Sequence, residues 1–152
     1  FENVRVAQQV RTGGSLRIFS SKESLKEVNQ KTREILEELG LTDQVDVPAK
    51  NLSHGDQRLL EIGIALAREP QVLLLDEPTA GMSPGETERT TRLIRKLTDK
   101  TSIILVEHDM DVVMSISDRI SVMHQGRLIA EGAPEEIRKN ELVKEAYLGK
   151  EE

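Results

Sequence analysis

The sequence predicts an α/β fold built on a parallel sheet, accompanied by a mainly helical lobe. Three observations carry this prediction. From residue 70 the pattern runs strand, helix, strand, helix, strand, the rhythm of layered α/β domains. Two of the strand segments, QVLLLDEP at 71–78 and TSIILVEHD at 101–109, are too short and too apolar for surface helices. They read as strands covered on both faces, as in a parallel sheet. The first 50 residues instead carry helical periodicity and predict a separate lobe.

Residues 1–20 hold a helical start and a polar loop, TGGSLRIFSS, with no usable period. Ser20 and Glu23 have capping-box spacing, and Leu25, Val28, Ile35, Leu36 and Leu39 then fall on one helical face before Gly40. The segment LTDQVDVPAKN reads as a loop, because Pro48 cannot continue a helix. A largely buried helix follows from near Ser53, with Leu59, Leu60, Ile62, Ile64, Leu66 and Ala67 inside, stopping before Pro70. SPGE at 83–86 is a second capping box with proline at the first helical position, opening a helix to Leu97. Met110 to Ser115 predicts a short helix, RISVMHQGRLIAEG two strands joined at Gln125 and Gly126, and 134–148 one or two short helices. The division this predicts is 1–69 as the helical lobe, 70–132 as the α/β core and 133–152 as a helical tail.

Composition excludes several classes of function. The chain has 152 residues, 37% hydrophobic and 32% charged, the size and balance of one globular domain. No apolar run approaches the roughly 20 residues a membrane span needs, and FENVRVAQQV lacks the apolar centre of a signal peptide. With no cysteine there is neither a disulfide framework nor a thiolate metal site, and a cytosolic location is the expectation. A net charge of −6 and only Phe1, Phe19 and Tyr147 as aromatics argue against nucleic acid as a partner. The opening on Phe1 without a methionine predicts a fragment of a longer protein.

Chemistry concentrates at the strand ends. Ligands of open α/β sheets bind at the carboxyl ends of parallel strands. Here those ends present Asp76, Glu77 and His108, on strands expected to lie about 4.8 Å apart if they are neighbours. Two adjacent carboxylates with a histidine repel and desolvate one another unless they share a cation, and Mg²⁺ bearing a nucleotide phosphate resolves the conflict. Asp76 then suits the metal, through water, and Glu77 the orientation or deprotonation of an attacking water. Ser53, His54 and Gly55 open the preceding helix, where free N–H groups and the dipole favour a phosphate. Taken singly, a DEP sequence also describes a strand entering a solvated turn, and Ser53 an ordinary N-cap. His124, beside a hairpin turn, reads as structural.

In combination, LSHGDQ, LLLDEP, AGMSP and VEHD, in this order and at these separations, resemble the nucleotide-binding subunit of ATP-binding cassette (ABC) transporters. The resemblance is tight over roughly residues 50–132. It implies that Ser53, His54, Gly55, Asp56 and Gln57 form the signature motif that meets ATP across a dimer. It also implies that VLLLDE is Walker B with Asp76 on Mg²⁺ and Glu77 as catalytic glutamate, that Ala80, Gly81, Met82 and Ser83 form the D-loop, and that His108 is the switch histidine. The implied cofactors are ATP and Mg²⁺. The implied partners are a second ABC ATPase subunit and transmembrane permease subunits, and the implied place is the cytoplasmic face of the cell membrane.

The sequence departs from the family pattern in five places. His54 replaces a glycine and Asp56 the glutamine of LSGGQ, and Ser83 stands for the D-loop aspartate. No GxxxxGKS or GxxxxGKT occurs, the glycines of TGGSL at 12–16 having no following lysine. The glutamine loop is likewise missing, so the chain resembles the last three fifths of such a subunit, the C-terminal part of a P-loop NTPase core. LSHG, LEIG, DEPTAGMSPGET, EHDM and EAYLG together resemble the importer subunits for branched-chain amino acids, with urea importers close behind. Lacking the phosphate loop, the chain alone is expected to be inactive. A non-catalytic docking module is the alternative from a different class.

Overall fold

The computed structural model describes residues 1–11 and 22–148. TGGSL, Phe19, the Ser20 cap and the last residues of the tail lie outside them. The described residues form two compact units, Phe1–Val106 and the part that begins at Glu107.

The first unit holds helices α1 (Glu2–Arg11), α2 (Lys22–Glu38) and α3 (His54–Leu66), strand β1 (Val72–Asp76), helix α4 (Pro84–Leu97) and strand β2 (Ser102–Val106). Short 3-10 turns at Thr42–Gln44 and Ala49–Asn51 carry the chain from α2 to α3 on either side of Pro48. The end of α2 follows from Gly40, whose φ of 66° suits a residue without a side chain. Its N–H bonds Glu37 O at 2.9 Å and that of Leu41 bonds Leu36 O at 2.8 Å, the paired closure of a Schellman end. Val28, Leu36 and Leu39 are buried as expected, whereas Leu25 is 37% exposed. Thr32 takes a place on the buried face because its hydroxyl donates to Val28 O at 2.7 Å and so carries no unmet polarity inward.

The helices meet at Gly63 of α3. A Cβ there would lie 2.5 Å from Leu39 Cδ1, 3.5 Å from Ile35 Cγ2 and 3.6 Å from Val4 Cγ2. Glycine therefore lets α3 approach α1 and α2 closely. Gly63→Val is expected to lower stability by about 1–3 kcal/mol through overpacking, read as a lower urea midpoint. An unchanged midpoint would show that this junction is loose.

β1 and β2 pair in parallel, Val72 opposite Ser102 through Asp76 opposite Val106. One expectation is corrected here. The strands are covered on one face only: Leu73 and Leu75 are buried, but Leu74 is 73%, Ile104 55% and Val106 57% exposed. Alternation sends these residues to the opposite side, where the described residues supply no covering layer.

In the second unit α5 (Met110–Ile116) leads to the antiparallel strands β3 (Ile120–His124) and β4 (Arg127–Gly132), then to α6 (Pro134–Lys139) and two further helical turns at Glu141–Val143 and Lys144–Leu148. Gln125 and Gly126, with φ of 48° and 74°, make the tight primed turn that joins the strands. Ile120, Val122, Ile137 and Val143 form the core, with Met110, Val113 and Met114 against it. His124 stacks edge-on to Tyr147 at 6.4 Å, and the Tyr147 hydroxyl donates to Met123 O.

Candidate functional site

The carboxyl end of β1 delivers Asp76 and Glu77, and both residues are exposed there. Water can therefore solvate both acids, so their adjacency does not itself require a bound cation. What distinguishes Glu77 is its backbone. Its φ is 43°, in the left-handed region, directly after a regular strand, and its N–H bonds Val106 O at 2.8 Å. A non-glycine residue held there costs roughly 1–3 kcal/mol, and such strain clusters at functional positions. Glu69 and Gln125 share the conformation, Glu69 just after the end of α3 and Gln125 in the turn between β3 and β4. Among the described residues no three histidine, aspartate or glutamate side chains converge into a metal cage. The local donor set suits Mg²⁺ held by one carboxylate and completed by water and phosphate.

Ser53 caps α3, its Oγ accepting from the Asp56 N–H at 3.1 Å. The neighbouring motif residues then divide by what they touch. Asp56 is buried and turned inward: Arg89 Nη1 donates to Oδ1 at 3.0 Å and Gln44 Nε2 to Oδ2 at 2.9 Å. The same guanidinium donates to Leu39 O and Gly40 O at 3.0 and 2.8 Å, closing the end of α2. Gln57 Nε2 donates to Leu52 O at 3.2 Å. The Asp56 and Gln57 side chains thus hold the fold locally. Ser53, His54 and Gly55 remain at the mouth of the helix.

The loop after β1 comes to the same place. His54 Nε2 lies 3.2 Å from Ala80 O, and a Cβ on Gly81 would lie 3.4 Å from the same nitrogen. Met82 Sδ accepts from Thr90 Oγ1 at 3.4 Å, fixing the loop to α4. Ser83 caps α4, and Glu86 completes the predicted capping box with Oε2 on Ser83 N and Oγ at 3.0 and 2.7 Å. Glu86 also reaches α3, where Ser53 Oγ donates to its Oε1 at 3.2 Å. The Ser83 N–H and hydroxyl, followed by Ser53, hold the Glu86 carboxyl below its ordinary range, and the Gly55 N–H adds to this. Sequence reasoning recognised Glu86 only as a cap and missed Arg89 and Gln44, whose partners lie far along the chain.

His108 belongs to the second unit, with its side chain 71% exposed. Its N–H donates to Glu107 Oε2 at 3.1 Å, and Asp109 then caps α5 by accepting from Asp111 N and Val112 N.

The family profile described as "ABC transporter" matches residues 1–80, more than half the chain. The chain belongs to the ABC transporter family. A second ABC profile, "Branched-chain amino acid ATP-binding cassette transporter", matches residues 127–152. Among individual ABC proteins, the chain is 44% identical to the High-affinity branched-chain amino acid transport ATP-binding protein LivG of Escherichia coli (strain K12), over 97% of this chain and 61% of LivG. It is 41% identical to the corresponding BraF protein of Pseudomonas aeruginosa, over the same shares. The solved ADP conformation of MJ1267, an ATP-binding cassette of an ABC transporter, superposes with a TM-score of 0.76 at 28% identity, covering 97% of this chain and 62% of MJ1267. The expected ABC ATPase fold is therefore present in part. The chain spans about three fifths of the length of the curated relatives it matches. Among the described residues no helix is long and apolar enough to cross a membrane.

Proposed function

We propose that this chain is the signature- and acid-bearing part of the ATP-hydrolysing subunit of an importer for branched-chain amino acids. The observation that carries the reading is Glu77, set in a left-handed backbone at the end of a parallel strand immediately after Asp76. The names of LivG and BraF and the match over 127–152 support the substrate class. In this proposal 1–69 is the helical lobe, 70–132 the ATPase core and 133–152 the tail.

Asp76 holds Mg²⁺ through water and Glu77 orients and deprotonates the attacking water. ATP, when bound, would supply the phosphoryl group to be transferred, and Mg²⁺ would offset its negative charge. Ser53, His54 and Gly55 meet its phosphates from across a dimer of two such subunits, with Asp56 and Gln57 supporting them from behind. His108 contacts the terminal phosphate, and Ala80, Gly81, Met82 and Ser83 face the partner subunit. Permease subunits at the cytoplasmic face of the membrane couple hydrolysis to transport.

Phosphoryl transfer depends on positioning and charge stabilisation, which the phosphate loop and its lysine provide. The 152-residue chain alone is therefore expected to show no magnesium-dependent ATP hydrolysis in a steady-state assay. Sequencing the gene upstream of Phe1 is expected to reveal GxxxxGKS or GxxxxGKT, and the polypeptide so extended to bind Mg·ATP by calorimetry. Extension without any Mg·ATP binding would leave the docking-module reading in its place.

A further inference from the structure

Glu86 divides its carboxylate between two helices. Oε2 serves the start of α4, taking the Ser83 N–H and hydroxyl at 3.0 and 2.7 Å. Oε1 serves the start of α3, taking the Ser53 hydroxyl at 3.2 Å, and the carboxylate lies against Gly55. The approach is close enough that a Cβ on Gly55 would stand 2.7 Å from Oε1 and 2.9 Å from the carboxylate carbon. An anion of this chain thus already sits on the donors that the proposed function assigns to phosphate.

We infer that Glu86 is a resident competitor of the signature motif, blocking Ser53 and Gly55 until an incoming phosphate displaces Oε1 while Oε2 stays on Ser83. The inference rests on the reading that Ser53 and Gly55 take a phosphate. Two features of the geometry make displacement feasible. Glu86 is half-buried, but its bond to Ser53 lies at the exposed surface, so the departing oxygen enters water rather than apolar surroundings. The capping bonds use the other oxygen, so α4 keeps its start when Oε1 leaves. A carboxylate and a phosphate cannot share these donors, because like charges at contact repel. His54, bonded to Ala80 O, keeps the loop before Ser83 against the same helix end, so the two helix starts stay in register while the carboxylate moves.

The test uses the ¹⁵N-labelled chain and inorganic phosphate, following the Gly55 amide signal in wild type, Glu86→Gln and the double variant Glu86→Gln/Ser53→Ala. Glutamine is the other residue a capping box accepts, so α4 survives the change. Glu86→Gln is expected to lower the half-saturating phosphate concentration roughly twofold to fivefold, the scale of an exposed charge interaction. Ser53→Ala is expected to remove that gain. Equal midpoints in wild type and Glu86→Gln would overturn the competitor role while leaving phosphate binding intact. A gain that survives Ser53→Ala would also overturn it, reducing the effect to a general loss of negative charge. No Gly55 response in any variant would sink the phosphate reading itself, and the inference with it.

Discussion

Replacing Glu77 by glutamine in the polypeptide extended through its phosphate loop is expected to preserve Mg·ATP binding and to slow hydrolysis by about 10²- to 10⁴-fold, the range for removing a general base. Glutamine matches glutamate in size and can occupy the same left-handed backbone at 43° at similar cost, so the turn after β1 and its bond to Val106 O persist. What is lost is the ability to accept a proton from water. Binding depends on the metal and the phosphate donors, which the substitution leaves alone. Calorimetry for affinity and phosphate release for rate separate the two effects. Turnover at the wild-type rate would remove Glu77 from the chemistry, and loss of binding together with rate would make its role one of site architecture.

The largest expected effect on stability is at Leu59, on α3 and only 2% exposed. Leu59→Ala is expected to cost about 2–5 kcal/mol, the transfer energy of the deleted carbons plus the cavity they leave. Against a total stability of roughly 5–15 kcal/mol, this is a large share of what holds the fold. Urea denaturation should show a lower midpoint with the slope retained. A loss below about 1 kcal/mol would mean that neighbouring side chains collapse into the space. The substitution also tests how far the helix that carries Ser53 and Gly55 depends on its packing for its place.

Much of the local structure was legible because it is settled by neighbours in the chain. Ser83, Pro84 and Glu86 announce the start of α4, Gly40 the end of α2, and Gln125 with Gly126 the tight turn between β3 and β4. The apolar run before Asp76 correctly predicts a strand in a parallel pair, and the ordered motifs correctly predict the family. The covering of that strand was misjudged for a physical reason. An apolar run records that a face is suited to burial, whereas exposure depends on which layers pack there, and Leu74 and Ile104 lie open. At the candidate site the sequence placed Asp76 and Glu77 at a strand end and Ser53 at a helix start, but presented Asp56 and Gln57 as equal members of the motif.

By itself, then, the sequence determined the element types, their caps and turns, and the order of the motifs, since each depends on chemistry within one or two turns of chain. Only the tertiary structure decided which motif groups face inward and which meet one another. Asp56 faces Arg89, and Glu86 shares its carboxylate between Ser83 and Ser53, because packing of α3 against α4 brings together residues more than thirty positions apart. A side chain's identity states what it can bond. Its partner is set by the fold, where distance falls off in three dimensions rather than along the chain.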